Sequence, residues 1–292
     1  MLEADLRNFF GSLDQTWAMR FVQLRVGDPR MLTRMRRWLT AGGMMPDGAG
    51  EPGEYGTPQG GSISGLLRHI YLHYVVDLWM EKQRRKQRAG DASWVRSLDD
   101  CVLCLPYRSD ALRVQKLLEE RLQAFGLELA PEKTRVSACG RCAQRDAAKQ
   151  GKRRPETLSF LGFTHYGTRN RQGNFQGERR TERTRLQRAA QTIQRRIRDM
   201  LHAPVPEQQH ALHPSRRGHD NYDGIAGNIQ SLLRISRRTE KLWWKTFSRR
   251  SQDGAVVWEK FQKLKQRFPL VRPQRSITYA GLPTYAKLCT KL

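Results

Sequence analysis

Apolar and polar positions follow two rhythms along this chain, one near two residues and one near three and a half. Leu2-Glu-Ala-Asp-Leu is a short apolar run broken by Asp5 and reads as a strand. Beyond Asp14, Trp17, Phe21, Leu24 and Val26, then Met31, Leu32, Met35, Trp38 and Leu39, recur near helical spacing, with Asp28-Pro29 dividing two helices. Residues 41–56 are rich in Gly, Pro and acidic side chains and read as a loop or short hairpin. Gly60-Gly61 makes a tight turn, and Ser62 or Ser64 is placed to cap the next helix. Leu66, Leu67, Ile70, Tyr71, Tyr74, Val75, Leu78 and Trp79 give that helix a broad apolar face, which decays into the basic end 81–87. Two strands are expected next, Trp94–Leu98 and Cys101–Leu105, joined by a tight turn at Asp99-Asp100. Ser109 is placed to cap a helix through Leu112, Leu117, Leu118, Leu122 and Phe125, which Gly126 closes. Leu127-Glu-Leu reads as a strand entering Pro131-Glu-Lys-Thr-Arg, residues 138–156 as a polar loop, and 157–163 as a further strand.

From about Gly177 the helical rhythm takes over. Leu186, Ala190, Ile193, Ile197, Met200 and Leu201 form one stripe, while Arg185, Arg188, Arg195, Arg196 and Arg198 occupy the other faces. Few of these arginines have an acidic partner four residues away, so the helix reads as one that packs on one side and meets phosphate on the other. Pro204 and Pro206 are expected to end it. A second helical region carries Trp243, Trp244, Phe247, Trp258, Phe261, Leu264 and Phe268, chiefly as core, with one or two rings free to stack on bases. Residues 275–292 show no strong period. This order predicts an α+β domain, an antiparallel sheet with helices on one face, followed by an α-helical domain.

Charge narrows the partners. Lys and Arg number 53 against 28 Asp and Glu, a formal charge of +25 spread along 292 residues. That excess calls for a polyanion, with nucleic acid ahead of an anionic membrane. No apolar run approaches the roughly 18 residues that a membrane span needs, and the start shows no signal-peptide pattern. The expectation is a cytoplasmic protein of bacterial type, associated with nucleic acid. Five cysteines, an odd number, point to reduced thiols. The pairs Cys101/Cys104 and Cys139/Cys142 have zinc-like spacing. In a strand, residues three apart face opposite ways, so the second pair is the better placed, although it lacks evident partners. His69 and His73, four apart, could bind metal in principle but read as packing or surface histidines.

The sharpest chemical feature is Asp99-Asp100 within the apolar run Trp94–Leu105. Burying an ionised carboxylate is costly unless a cation offsets it. A hairpin presenting two carboxylates at one end of a sheet is a ready site for Mg²⁺, which prefers carboxylate oxygen. The plain alternative is an ordinary hairpin with a polar turn.

Three stretches then combine: residues 2–14 around Asp5, residues 54–77 with Gly56-Thr-Pro-Gln-Gly-Gly61, and residues 94–105 with Asp99-Asp100. Together they resemble the palm of a reverse transcriptase, specifically the group II intron reverse transcriptase/maturase family, a class of mobile element. The Gly-Thr-Pro-Gln-Gly-Gly run is the most specific of the three, and the resemblance extends from Leu2 to about Pro269. It implies a palm over 1–165, a helical thumb or maturase domain over 177–270 and a tail over 271–292. It implies RNA-directed DNA polymerase activity with two Mg²⁺ ions, roughly 4 Å apart, held by Asp5 and Asp99 with Asp100 as the weaker contributor. Lys133 matches the family's lysine near the triphosphate, a candidate proton donor to leaving pyrophosphate. Phe10 matches the aromatic that excludes a ribose 2′-hydroxyl, and Gln59, Gly60 and Gly61 match the turn along the template and incoming nucleotide. Phe160-Leu-Gly-Phe163 matches the segment that grips the primer. Residues 217–228 and Arg249-Arg250-Ser251 resemble the thumb, so Arg188, Arg195, Arg196, Arg249 and Arg250 are candidates for holding RNA. The implied partners are intron RNA, an RNA template with DNA primer, and deoxynucleoside triphosphates. Oligomeric state has no signal in the sequence.

The chain also departs from that family. Ser97-Leu98 stands where Tyr-Ala is usual, Gly65 replaces a usual proline, and Arg68-His69 replaces a usual Ala-Asn. Gly11 and Gln15 stand where an aspartate and a later histidine are usual. The chain starts at the first catalytic strand and lacks an endonuclease segment, which reads as an N-terminally truncated, degenerate copy without fingers and with little primer extension expected. The alternatives are a non-catalytic RNA-binding maturase remnant and, more remotely, a zinc-containing nucleic-acid binder.

Overall fold

The computed structural model describes residues 1–40, 43–44, 50–51, 63–86, 92–249 and 256–278. They form two compact units, Met1–Ala138 and Cys139–Leu292, each with its own apolar core. Helices and antiparallel strands are mixed in both, and the second unit carries strands as well as the helices expected of it.

The first unit is built on a four-stranded antiparallel sheet in the order Ser93–Ser97, Asp100–Cys104, Leu2–Ala4, Arg135–Val136. Leu2 and Ala4 alternate inward and are buried, as period two requires of a half-buried strand. Leu2 sits opposite Leu103 on one side and Val136 on the other, and Ala4 opposite Cys101. In the hairpin Ser97 pairs with Asp100, so the turn is only Leu98-Asp99. Leu98 takes φ 58°, because a two-residue hairpin needs positive φ to match the twist of its strands. Both strands therefore lie one residue earlier than the hydrophobic pattern suggests. Asp100 opens a strand, while Asp99 remains in the turn.

Around the sheet run helices Gln15–Gln23, Pro29–Thr40, Ser64–Leu72, Leu78–Lys86 and Arg108–Gln123. Asp14 caps the first of these, accepting from the Thr16 and Trp17 amides at 2.7 and 3.1 Å. Ser109 does not cap the last, which begins at Arg108 with Tyr107 before it and no side-chain cap. Between Ser64–Leu72 and Leu78–Lys86 lies a π-helical turn, His73–Asp77. The core joins Leu2, Leu13, Tyr71, Leu72, Val75 and Leu122. Tyr71 is buried without loss because its hydroxyl donates to the Phe125 carbonyl at 2.9 Å. Burial, with Asp14 adding to it, pushes that phenol above its ordinary pKa, so it stays neutral.

The second unit pairs a three-stranded antiparallel sheet, Leu158–Phe160, Phe163–Arg169 and Phe175–Thr181, with helices Ala143–Lys149, Arg183–Asp199, Val205–Asp223, Ile229–Phe247 and Trp258–Arg267. The segment 138–156 is thus not all loop. Its short helix buries only Ala143 and Ala147, too little apolar surface to reveal a period. Pro204 and Pro206 do not terminate the arginine-rich helix, which ends at Asp199; they sit at the cap and first turn of the next one, where a missing N–H is harmless. The Phe163–Thr181 hairpin turns through Gly173 at φ 81°. The core centres on Trp243, which is fully buried, with Phe247 and Phe261 against it. The Trp243 indole N–H donates to Gln208 Oε1 at 2.8 Å.

Candidate active site

The strand Leu2–Ala4 runs antiparallel to Asp100–Cys104 with Ala4 opposite Cys101, so the next rung sets Asp5 against Asp100. This is the neighbour relation that a shared carboxylate site requires. Asp5 is buried. Its carbonyl accepts from the Ala130 amide at 2.8 Å, which pins the turn that follows and places Lys133 Nζ 2.5 Å from Asp5 Oδ2. Leu6-Arg7 pairs with Glu128-Leu129 on the same line. The hydrogen bond and charge of Asp5 raise the Lys133 pKa, and the ammonium is held cationic.

Asp100 carries the electrostatic signature of the site. Although the residue as a whole is exposed, burial of its carboxyl raises its pKa, followed by the charges of Asp5 and Asp99 and a hydrogen bond shared with Asp5; Lys133 opposes the shift. Like charges that cannot all ionise comfortably share a proton or take up a cation.

Asp99 points elsewhere. Its Oδ1 accepts from Arg68 Nη1 at 3.1 Å. Arg68 is buried, and its guanidinium lies over the Phe9 ring at 5.1 Å from the centroid. The turn itself is braced by Arg96, which forks onto Asp77 with two bonds of 2.7 Å and donates to the Leu98 carbonyl at 2.7 Å. Asp77 closes the π turn, so the local irregularity in that helix supplies the anchor for the hairpin tip.

The structure therefore brings Asp5, Asp100 and Lys133 together and sets Asp99 beside them in a separate ion pair. Phe10 lies in the short helix Phe9–Ser12 next to the site, with its side chain outside the described residues. Gln59, Gly60 and Gly61 also lie outside the described residues. Reading the sequence missed Arg68, Arg96 and Asp77 as parts of the site. The available signal was a charge inside an apolar run, Leu66-Leu67-Arg68 and Trp94-Val95-Arg96.

The chemistry of the donors fits a hard divalent cation. Asp5 and Asp100 offer carboxylate oxygen under mutual repulsion, with Asp99 adjacent. Among the described residues no three Asp, Glu, His or Cys side chains converge as a metal site, which agrees with Asp99 being engaged by Arg68. Cys101 and Cys104 are buried in their strand, and burial pushes the Cys101 thiol up to about 12. Cys139 donates to the Glu156 carbonyl at 3.4 Å, and Cys142 is exposed.

In the second unit, the arginine-rich helix buries Ala190, Ile193 and Ile197 and leaves Arg188 and Arg195 exposed. Arg196 is exposed but also donates to the Ala211 carbonyl at 3.3 Å and to Ser215 Oγ. Arg185 serves packing instead, 4.0 Å above the Tyr222 ring and 3.6 Å from Asp223. Arg249 is exposed, and Arg250 lies outside the described residues. A cavity of about 540 Å³ is bordered by Arg153, Arg154, Arg169 and Arg180 with Tyr166, a basic concavity that no single stretch of sequence announces.

Comparison with known proteins gives a family. A protein-family model described as "Reverse transcriptase (RNA-dependent DNA polymerase)" matches residues 1–165. Protein YkfC of Escherichia coli (strain K12) is 30% identical over 92 residues, which is 30% of this chain and 24% of that protein. The matched stretch thus spans about a quarter of the relative. Among the described residues, no helix is long and apolar enough to cross a membrane.

Proposed function

The chain belongs to the reverse transcriptase (RNA-dependent DNA polymerase) family, and from that premise we propose that it carries the nucleotidyl-transfer site and RNA-binding surface of a group II intron-type reverse transcriptase/maturase. In this reading the first unit serves as palm and the helices of the second as thumb. The observation that carries it is the placement of Asp5 against Asp100, with Lys133 on Asp5 and Asp99 adjacent. Two Mg²⁺ ions held by Asp5, Asp99 and Asp100 would supply an activated primer 3′-hydroxyl and charge neutralisation of the triphosphate. Lys133 is cationic and largely exposed, so it is free to swing from Asp5 toward a triphosphate and give its proton to leaving pyrophosphate. Arg96 holds the hairpin tip rigid, which keeps Asp99 and Asp100 at fixed positions for the chemistry. Exposed Arg188, Arg195, Arg196 and Arg249, together with Arg250 and the basic concavity around Tyr166, would follow the phosphates of template and intron RNA.

A second reading, RNA binding without catalysis, draws on the Arg68–Asp99 ion pair, which withdraws one carboxylate from the cluster. Extension of a DNA primer on an RNA template with Mg²⁺ separates the two. The catalytic reading expects extension that falls on the order of 10²-fold or more in Asp5→Asn, since phosphoryl transfer rests on charge stabilisation. Salt-sensitive RNA binding with no extension at any Mg²⁺ concentration would favour the second.

A further inference from the structure

Lys133 and Arg68 both answer the acidic cluster, but in different ways. Lys133 is 65% exposed at its side chain, while Arg68 is 7% exposed. An exposed ammonium has water as an alternative partner. A buried guanidinium has less access to water, so parting it from a carboxylate is costlier. Arg68 is also fixed from two directions, by Asp99 Oδ1 at 3.1 Å and by the face of the buried Phe9 ring. Its helix, Ser64–Leu72, enters the core through Leu67, Tyr71 and Leu72. The guanidinium is therefore carried to the hairpin tip by a rigid element.

Resting on the metal-assisted reading above, we propose that Arg68 is a positioning residue that acts as a resident counter-cation: it holds Asp99 apart from Asp5 and Asp100, and a divalent ion must take Asp99 from it to complete a three-carboxylate site. Among the described residues, Arg68 pairs with Asp99 and Lys133 with Asp5. Metal entry is then an exchange of cations, and its apparent affinity falls by the fraction of molecules in which Asp99 is released. If that fraction is about one in ten, the apparent Kd is raised tenfold. This makes Arg68 a setting for how much free divalent ion the site needs.

The test is a Mn²⁺ titration of the whole chain, with free Mn²⁺ read by electron paramagnetic resonance. Arg68→Met keeps the volume and removes the charge, and it is expected to lower the apparent Kd about three- to tenfold. Arg68→Gln, which keeps a hydrogen bond without the charge, is expected to tighten binding in the same direction and serves if the Met variant does not fold. Arg68→Lys, which keeps the charge, should stay near wild type. Unchanged or weaker Mn²⁺ binding in the charge-removing variants, with binding still abolished by Asp5→Asn, overturns this inference alone. Binding that Asp5→Asn leaves untouched, or no Mn²⁺ binding by the wild type, overturns the metal reading and this inference together.

Discussion

Each unit contains a cluster of acidic and polar side chains, and the two clusters are finished differently. In the second unit Asp223 is 1% exposed, accepts from the Thr181 hydroxyl at 3.0 Å and faces Arg185 at 3.6 Å. Asn228 accepts from the Thr181 amide and donates to Thr181 Oγ1 and to the Asp223 carbonyl, each at 2.8 Å. His219 lies 3.4 Å from Asp223 and 3.7 Å from Asp220, and Arg216 reaches Asp220 at 4.0 Å. Asp223, Thr181 and Asn228 satisfy one another and Asp223 has Arg185 beside it, whereas Arg216, His219 and Asp220 are held by charge proximity, with buried polar atoms that lack a hydrogen bond among the described residues. In the first unit Asp5 and Asp100 face one another at a sheet end, with an exposed lysine on Asp5 and an arginine on the adjacent Asp99. A buried network whose carboxylate is matched by a cation and hydrogen-bond donors stabilises and specifies a fold. A cluster with residual repulsion at an accessible sheet end is poised for a ligand.

The largest effect should come from breaking the buried cluster around Asp223. Asp223→Ala leaves Arg185 and Thr181 without their carboxylate and is expected to destabilise the second unit by on the order of 3 kcal/mol. Denaturant unfolding followed by Trp243 fluorescence measures it; a change near zero would mean that this cluster is no more structural than the other. A smaller effect sharpens the other side of the comparison. Leu98 is exposed and held at φ 58°, so Leu98→Gly should relieve left-handed strain and stabilise the hairpin by about 0.5–1 kcal/mol. A loss of stability, read from the unfolding of the first unit, would contradict a strained turn.

Much of this was legible beforehand. Strands at Leu2–Ala4 and around Asp99-Asp100 and the Ala190–Ile193–Ile197 stripe follow from periodicity, as does the apolar helix face from Leu66 to Trp79, except that Leu66 and Leu78 prove exposed. What escaped depends on register or distance. Moving the hairpin strands by one residue decides whether Asp99 or Asp100 faces Asp5, and no composition rule fixes a two-residue turn at Leu98-Asp99. Arg68 and Asp99 are 31 positions apart, and Lys133 and Asp5 are 128 apart. Such pairings exist only once the sheet order is set. The hairpin Phe163–Thr181 hid because arginines, glycines and glutamine interrupt its alternation.

The central claim is that Asp100 belongs to a carboxylate cluster awaiting a cation, and unfolding of Asp100→Asn with and without Mn²⁺ tests it most directly. The native carboxyl is held above its ordinary pKa, so the folded chain keeps that proton to higher pH than the unfolded one. Stability from this source is full below the ordinary carboxylate range and is lost as pH rises through the raised native value. Asn removes that loss. At neutral pH without metal the variant should therefore melt higher than wild type, and the gap should close in acid. With Mn²⁺ added, wild type should gain stability by preferential binding to the folded state, while the variant gains little. A variant that melts at or below wild type at neutral pH, and gains as much from Mn²⁺, would contradict the account.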